Sequence, residues 1–290
     1  MMLRLSLRQW QVLVAVADAG TTTAAGETLG LSQSAVSAAL NELEHQLPAP
    51  LFDRVGRRLL LNAQGRALLD PARALLLAAT ALEQDAGVGQ GAGAERPVHL
   101  RVAASTTIGN YLLPPRVAAL LAAHPQARVE LEIGNTAEVV DLVQHLQVDV
   151  GLIEGPCHES GLLVSPWQRD ELVIVAAAAN PVQGSLAALR EARWLLREPG
   201  SGTREAVEQG LLPYLHHFAE SMQLGSTEAI KQAAAAGLGL ACLSRHAVAD
   251  LLALGSLRVV ESELPPLWRQ LWTVQHPRRP GPAALAALLQ

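Results

Sequence analysis

Cysteine, lysine and aromatic residues are scarce in this chain of 290 residues. Two cysteines cannot build the disulfide framework of a small secreted domain, and Cys157 and Cys242 lack the spacing of a metal site. The apolar runs, such as 74–82 and 172–179, are too short to span a membrane. Residues 1–8 lack the apolar segment of a signal peptide. These absences indicate a cytoplasmic protein with reduced thiols, no membrane contact, and neither metal nor cofactor.

Charge is also low. Half of the residues are hydrophobic and 17% are charged, which excludes disorder as the main state and predicts two packed domains. The net charge is −5, so the bulk basic domain that would signal nucleic-acid binding is absent. The basic residues cluster locally instead, since Arg54, Arg57, Arg58 and Arg66 lie within thirteen residues. Such a cluster is either a solvated face or a local anion-binding surface.

The chain divides into three parts. Residues 1–62 contain short helical patterns separated by turn signals. Residues 63–91 combine a long helix, with leucines at helical spacing, and a glycine-rich linker beginning at Gly87. Pro71 is expected to kink or restart that helix. In residues 92–290 strands and helices alternate, which predicts an α/β domain with a largely parallel sheet.

The most informative stretch contains two short helices joined by a turn at Gly30. Residues 21–29 predict the first helix, and Ser32 is placed as the N-cap of the second. This is a helix-turn-helix arrangement, in which the second helix offers its first residues to DNA base edges. Glutamine can bond adenine through two hydrogen bonds, and serine can contact a base or a phosphate. The candidate DNA contacts on this helix are Gln33, Ser34 and Ser37.

A β-hairpin is predicted just after these helices. Residues 54–61 have Gly56 at the turn, and the arginines would lie along the flanking phosphates or in the minor groove. The candidate contacts here are Arg54 and Arg57. The alternative interpretation is a hairpin and a helix cap that make no direct contact with DNA.

Residues 5–82 resemble the winged helix-turn-helix of LysR-type transcriptional regulators. The resemblance rests on Leu29-x-Leu31-Ser32-Gln33-Ser34-Ala35-Val36-Ser37, Leu43-Glu44, Pro50-Leu51-Phe52-Asp53-Arg54-x-Gly56-Arg57 and Leu61-Asn62-Ala63-x-Gly65. The chain departs from the family where Gly26, Ser34 and Ala38 stand in place of the usual Ala, Pro and Arg. Absence of that Arg removes a frequent DNA contact. Gly26 inside a short helix costs about 1 kcal/mol of helix propensity against Ala.

The resemblance implies a fold for the rest of the chain. Residues 92–290 would form an effector-binding domain similar to a periplasmic binding protein, with two α/β lobes. Lobe I would comprise 92–163 and 267–290, and lobe II 164–266, with crossings near 161–167 and 263–268. The helix in 63–91 would mediate dimerisation.

The resemblance also implies partners and a mechanism. The expected partners are double-stranded DNA carrying a promoter inverted repeat, a small anionic effector, further copies in a homodimer or homotetramer, and RNA polymerase. An effector between the lobes would change how DNA is bound. The alternatives are a small-anion-binding protein with weakened or lost DNA function, and an enzyme, for which the sequence offers no catalytic constellation.

Three hydroxyl-rich turns follow predicted strands of this domain. Ligands of open α/β sheets bind beyond the carboxyl ends of the strands, and helix N-termini there favour anions. The candidate effector contacts are Ser105, Thr106, Thr107, Asn135, Thr136, Glu154, Ser201, Gly202 and Thr203. Ordinary N-capping is the alternative for each turn, and Glu154 either lines the cleft or pairs with an arginine. Within the family these turns look most like the branch that regulates sulfur assimilation, sulfite metabolism or carbon fixation, which implies a sulfur oxyanion or a small phosphorylated or carboxylated metabolite.

Overall fold

The structure is a computed structural model of the chain. It describes residues 4–56, 58–85, 98–180, 182–279, 281–282 and 284–290. The chain divides into two compact units, residues 1–95 and 96–290. The predicted glycine-rich linker lies outside the described residues. In the part of the chain that the structure describes, no helix has the length and hydropathy needed to span a membrane.

The N-terminal unit consists of three short helices, a hairpin and one long helix. In chain order these are α1 (Leu7–Ala19), α2 (Thr22–Leu29), α3 (Gln33–His45), β1 (Phe52–Val55), β2 (Arg58–Leu61) and α4 (Ala63–Asp85). Each short helix begins at a hydroxyl N-cap that accepts a hydrogen bond from the backbone three residues on, supplied by Ser6, Thr21 and Ser32. Leu13 and Leu43 lie fully buried between the helices. The predicted winged helix-turn-helix is confirmed.

Gly26 allows the turn between α2 and α3 to pack closely. A Cβ at this position would lie 2.7 Å from the carbonyl oxygen of Leu31. The carbonyl of Gly26 also accepts a 2.8 Å hydrogen bond from the backbone N–H of Leu31. Any side chain would push the turn away from α2. Gly26 thus lowers the helix propensity of α2 but allows the turn to pack closely against it. The usual alanine could not be accommodated in this arrangement.

The long helix α4 belongs to the same compact unit as the hairpin. It continues through Pro71 without a restart. Ala72 and Arg73 are buried, and Arg73 forms an ion pair with Asp18 of α1. Beyond this contact, leucines such as Leu82 are exposed. The first half of α4 therefore completes the core of the N-terminal unit, and its later half presents an apolar stripe to solvent.

The C-terminal unit is built around one mixed sheet. Its strands are β3 (His99–Ser105), β4 (Arg128–Gly134), β5 (Val150–Ile153), β6 (Leu163–Ala177), β7 (Arg193–Leu196), β8 (Glu220–Gln223), β9 (Leu240–Ser244), β10 (Leu257–Val259) and β11 (Leu267–Gln275). Their order is β4-β3-β5-β11-β6-β9-β7-β8, and β10 pairs with β6.

Two long strands, β6 and β11, carry the chain between the two halves of this sheet. They pair antiparallel from Leu267 opposite Leu172 to Gln275 opposite Leu163, with a register shift between Gln270 and Trp272. On one side β3, β4 and β5 are parallel, and on the other β7, β8 and β9 are parallel. The expectation of a largely parallel sheet is wrong at the centre, because strands that leave a lobe and return to it run in opposite directions. The two predicted lobes are confirmed.

Helices cover both faces of each lobe. They are a π-helical turn (Ile108–Leu112), α5 (Leu113–Ala123), α6 (Thr136–Gln144), α7 (Leu186–Glu191), α8 (Gly202–Leu215), α9 (Thr227–Ala235), α10 (Arg245–Ala253) and α11 (Ala284–Leu289). In lobe I, Leu113 packs in the core of one face and Val139 in that of the other. In lobe II, Leu211 and Ile230 do the same. Because both faces are covered, the strand ends are the open edge of each lobe.

The helix α8 is shorter than its sequence pattern suggests. Residues 203–219 have a helical pattern, but α8 ends at Leu215 because His216 adopts a left-handed backbone conformation with φ of 69°. Residues 220–223 then form the strand β8, whose four residues are all exposed. A strand without a buried side chain has no apolar alternation, so the sequence pattern does not predict it.

Candidate functional site

The exposed face of α3 carries the candidate base contacts. The side-chain amide of Gln33 donates hydrogen bonds to the hydroxyls of Ser37 at 2.8 Å and Thr22 at 3.1 Å. The hydroxyls of Ser34 and Ser32 lie 3.0 Å apart. These polar groups are exposed or half-buried at the start of α3. The structure therefore brings the three predicted side chains onto one accessible surface.

The hairpin formed by β1 and β2 carries exposed arginines. Arg54 and Arg58 are both exposed, and Gly56 supplies the left-handed backbone of the turn with φ of 61°. Arg57, also predicted as a contact, lies outside the described residues. Arg66 donates a 2.6 Å hydrogen bond to the carbonyl of Leu61, which fixes the end of the hairpin to α4.

The predicted turns of both lobes meet in the cleft between them. The hydroxyl of Ser105 lies 3.3 Å from that of Thr136, and both belong to lobe I. Thr136 in turn accepts a 3.2 Å hydrogen bond from the backbone N–H of Gly202 in lobe II. The backbone N–H of Ala137 donates across the cleft to the carbonyl of Gly200 at 3.1 Å. The lobes are therefore closed onto one another.

Glycine makes this close approach possible. A Cβ on Gly202 would lie 2.5 Å from the backbone nitrogen of Gly155 and 2.5 Å from the hydroxyl oxygen of Thr136. A Cβ on Gly155 would lie 2.9 Å from the Cα of Gly202. The two backbones thus touch where neither residue has a side chain.

A buried arginine of lobe II reaches the first predicted turn. Arg197 is 2% exposed, and its Nη1 donates to the hydroxyls of Thr106 at 2.7 Å and Thr227 at 2.9 Å. These two hydroxyls, one from each lobe, lie 3.2 Å apart. The other edge of the guanidinium donates to both oxygens of Glu198 at 2.8 Å. Burial alone would raise the pKa of Glu198, but the hydrogen bonds from Arg197 lower it below its ordinary value.

A second buried arginine, Arg269 of β11, ties both lobes to the crossing strands. Its Nε and Nη2 contact an oxygen of Asp170 on β6 at 2.8 and 2.7 Å. Its Nη1 donates to Glu154 and Thr203, each at 2.9 Å. Its Nη2 also donates to the hydroxyl of Thr107 at 3.1 Å. These five contacts match the five N–H donors of a guanidinium, so Arg269 is fully satisfied by the protein.

Glu154 is the ionised partner of Arg269. Its oxygens also accept hydrogen bonds from the backbone N–H of Thr107 at 2.5 Å and from the hydroxyl of Thr203. Burial alone would raise the pKa of Glu154, but the charge of Arg269 and these donors lower it below its ordinary value. Of the two interpretations left open by the sequence, pairing with an arginine is the one found.

Asn135 and Ser201 act as helix N-caps. Asn135 accepts a 3.0 Å hydrogen bond from the backbone of Glu138, and Ser201 accepts one of 3.5 Å from the backbone of Arg204. The amide nitrogen of Asn135 also lies 3.4 Å from Glu198 across the cleft. Ordinary capping thus accounts for these side chains, and it aims the N-termini of α6 and α8 at the cleft.

An outer groove of about 550 Å³ borders the cleft between α6 and α8. Carboxylates line it, including Asp141, Glu205 and Glu208. His158 lies 3.1 Å from Glu205. The negative lining disfavours an anion in this groove.

Several residues of the cleft were not predicted from sequence. Arg197 directly follows β7, a position at which ligand sites of α/β sheets occur, but the pattern of residues 194–197 predicted a strand that included it. Thr227, the first residue of α9, lacked a neighbouring predicted strand, because β8 was missed. Arg269 and Asp170 lie within long strands, and their pairing depends on the strand register, which sequence patterns do not supply.

The described residues contain no group of three or more His, Cys, Asp or Glu side chains that could hold a metal ion. Cys157 and Cys242 are free thiols. Burial raises the pKa of Cys242 to about 12, although the charge of Arg269 acts in the opposite direction. The Cys242 thiol therefore stays protonated and unreactive at neutral pH.

The winged helix-turn-helix joined to a two-lobed, cleft-forming domain defines a DNA-binding transcriptional regulator with an effector-binding domain. The family model described as "LysR substrate binding domain" matches residues 94–290. The model described as "Bacterial regulatory helix-turn-helix protein, lysR family" matches residues 7–66. The chain belongs to the LysR family of transcriptional regulators.

Individual relatives agree with this assignment. The chain is 46% identical over 277 residues to the uncharacterized HTH-type transcriptional regulator YeiE of Escherichia coli (strain K12), covering 94% of this chain and 92% of that protein. A full-length OxyR variant from Pseudomonas aeruginosa has the same fold, with a TM-score of 0.82, 23% identity, and coverage of 99% and 94%. The regulatory domain of CcmR from Synechocystis PCC6803, solved in complex with 2-PG, is 28% identical with a TM-score of 0.58, covering 66% of this chain and 95% of that domain.

Proposed function

We propose that a small anionic metabolite, bound between the lobes beside Arg197, controls how this regulator binds promoter DNA. The observation that carries the proposal is the buried guanidinium of Arg197, which bonds one hydroxyl from each lobe, Thr106 and Thr227. When the lobes separate, Arg197 loses its partner in lobe I, and an anion can take that place. The 2-PG complex of the CcmR regulatory domain supports a small-molecule site in this domain.

Helix ends strengthen the case for an anion. The helices α6, α8 and α9 have the N-caps Asn135, Ser201 and Ser226, and their first residues, Thr136, Gly202 and Thr227, make contacts across the cleft. Free N–H groups and the partial positive charge of a helix N-terminus favour a ligand with several acceptor oxygens. A sulfur oxyanion or a small phosphorylated or carboxylated metabolite has this chemistry.

The proposed effector contacts fall into two groups. Residues that offer hydroxyl or backbone donors at the cleft surface are Ser105, Thr106, Asn135, Thr136, Ser201 and Gly202. Thr107, Thr203 and Glu154 would act through Arg269, because all three bind its guanidinium or each other. The second group therefore fixes the lobes relative to the crossing strands instead of touching the ligand.

Calorimetric titration of the full-length protein tests this site. The panel comprises sulfite, sulfate, thiosulfate, acetylserine and phosphorylated sugars. We expect one of these anions to bind the parent, and Arg197→Met to bind it at least tenfold more weakly. Arg193→Met is the matched control, since Arg193 begins the same strand β7 but is exposed and pairs with Glu220. Equal binding by parent and Arg197→Met, or no binding by any member of the panel, would count against the site.

We further propose that DNA is contacted by Gln33, Ser34 and Ser37 of α3 and by Arg54 and Arg57 of the wing. The exposed leucines of α4 would pack against a second copy, so that two α3 helices reach the two halves of an inverted repeat. A homodimer or homotetramer bound in this way would bend DNA and recruit RNA polymerase. The protein would act by binding alone, in the cytoplasm where bacterial DNA is found.

Gel-shift titration with the protein's own upstream region tests the wing. Arg54→Ala should bind more weakly and show a smaller salt dependence than the parent. The matched control is Arg8→Ala, an exposed arginine of α1 that bonds Gln11. If Arg54→Ala bound this DNA as tightly as the parent does, the assignment of Arg54 as a DNA contact would be refuted.

A further inference from the structure

A second contact between the lobes lies one helical turn beyond the proposed effector site. Tyr111 lies in the π-helical turn of lobe I, and its hydroxyl donates a hydrogen bond to Glu228 of α9 in lobe II. The ammonium of Lys231 lies 5.5 Å from the centre of the Tyr111 ring and 3.5 Å from its hydroxyl oxygen. Lys231 also contacts Glu228 at 2.7 Å and Asp250 of α10 at 3.1 Å.

Lys231 is the only lysine of the chain and is 2% exposed. Desolvation alone would lower the pKa of Lys231, but its hydrogen bonds to Glu228 and Asp250 raise it above its ordinary value. The pKa of Tyr111 is raised to about 12, mainly by burial and to a smaller extent by the hydrogen bond to Glu228. The ammonium thus stays charged and the phenol stays a donor throughout the physiological range.

The contact of Tyr111 with Glu228 and Lys231 is coupled to the cleft by its position. Thr227 and Lys231 are four residues apart on α9, so they lie on one face of the helix. Thr106 and Tyr111 face them from consecutive segments of lobe I. The Thr106–Thr227 contact and the contact of Tyr111 with Glu228 and Lys231 therefore form two adjacent bridges between the same elements. The cleft cannot open at the first bridge without separating the second.

The segment that carries Tyr111 is a π-helical turn, a geometry that occurs mostly as a local insertion and frequently at functional sites. It follows directly from the turn at Ser105–Thr107 and leads into α5. Movement of that turn away from lobe II would therefore carry Tyr111 with it.

We infer that Tyr111, Glu228 and Lys231 form a latch that holds the two lobes closed in the absence of an effector. Tyr111 is thus a positioning residue of the effector-binding domain. The regulatory meaning of the latch rests on the proposed function. The existence of the latch does not depend on the proposed function, because closure is measured without any effector.

A disulfide reporter measures closure in the full-length protein. The hydroxyl oxygens of Thr106 and Thr227 lie 3.2 Å apart, so sulfur atoms placed there by Thr106→Cys and Thr227→Cys come within bonding reach when the lobes close. Cys157→Ser removes the other partly exposed thiol. Oxidised glutathione accepts the two electrons, so two protein thiols become one disulfide and two glutathione molecules are released. At equilibrium, the ratio of disulfide to dithiol protein at known glutathione concentrations gives the effective concentration of one cysteine at the other.

In this background, Tyr111→Phe should lower the effective concentration about tenfold, the lower end for a hydrogen bond to a charged acceptor. Tyr214→Phe is the matched control. It is the chain's other tyrosine, at the far end of α8. Combining Tyr111→Phe with Glu228→Gln should lower the value no further than either change alone, because the two side chains act as one unit.

Two results would overturn the latch. One is an effective concentration in Tyr111→Phe within twofold of that in Tyr214→Phe. The other is a cysteine pair that stays reduced in an otherwise folded protein. If the cysteine variant fails to fold, the latch is tested by hydrogen exchange of residues 105–112 in the protein with its natural threonines and cysteines. There Tyr111→Phe should speed exchange about tenfold, and an unchanged rate would refute the latch.

Discussion

A methyl group at residue 202 gives a sharp test of lobe closure. In Gly202→Ala the new Cβ would lie 2.5 Å from the nitrogen of Gly155 and 2.9 Å from the carbonyl carbon of Glu154. Ordinary contacts between such atoms begin at about 3.5 Å, so the lobes must separate by roughly 1 Å. Overpacking of this kind costs about 1–3 kcal/mol. That cost shifts the balance between closed and open lobes by roughly 5- to 150-fold.

Gly202→Ala should not destabilise the helix α8 itself. Gly202 begins α8 with a negative φ that alanine adopts freely, and alanine is the better helix former by about 1 kcal/mol. Hydrogen exchange detected by mass spectrometry separates the two effects. We expect the amide of Ala137, which bonds the carbonyl of Gly200 across the cleft, to exchange faster by the factor above. Exchange within the body of α8 should stay as slow as in the parent.

Gly225→Ala is the matched control, because a Cβ there would meet no atom within 4 Å. It should leave exchange at Ala137 unchanged. If Gly202→Ala also left that amide unchanged, the lobes would not be in contact in solution. Faster exchange throughout the C-terminal unit would equally refute the reasoning, since it would mean that the methyl group destabilises the fold and not the closure alone.

Four further outcomes follow from the structure. Arg269→Met should lower the melting temperature by roughly 6–20 °C in differential scanning calorimetry, because breaking a buried ion pair costs about 3–5 kcal/mol. The lowered pKa of Glu154 stabilises the parent fold above the carboxyl's ordinary pKa of about 4.3, and this contribution is lost as pH falls through the folded-state pKa. Arg269→Met lacks that contribution at every pH, so the difference in stability between the parent and Arg269→Met should shrink on acid titration. Arg54→Ala should reduce the slope of log affinity against log salt by about 1 in gel shifts, whereas a phosphate-independent role would leave the slope unchanged. Gln33→Ala should relax preference at a single base position by about 1–3 kcal/mol in a binding-site selection, and equal losses at all positions would contradict direct base readout.

The N-terminal unit could be predicted closely because its signals are local. N-caps such as Ser32 and the turn at Gly30 lie next to the helices that they begin or end. The apolar stripe of α3 repeats at helical spacing, so the face opposite to it is known from sequence alone. What sequence reasoning lacked was the reason for Gly26, which depends on the close passage of Leu31 over α2.

The cleft could be predicted only in part. The hydroxyl-rich turns at Ser105 and Thr136 were placed correctly at strand ends, because a turn between a strand and a helix is also a local signal. Arg269 satisfies groups from four different segments, and its partner Asp170 is set by the register of β6 against β11. Such pairings join residues far apart in the chain, and apolar periodicity carries no information about them. Arg197 was overlooked because the pattern of residues 194–197 predicted a strand that included it, whereas β7 ends at Leu196.

Sequencing of source-genome fragments retained by the purified full-length protein at moderate salt tests the regulator assignment most directly. Recovery of a few intergenic sites that share an inverted repeat is the expected result, since two α3 helices in a dimer would contact two half-sites. The genes beside those sites would also indicate the chemistry of the anion. Retention of fragments without sequence preference, or of none, would contradict regulation through specific DNA binding.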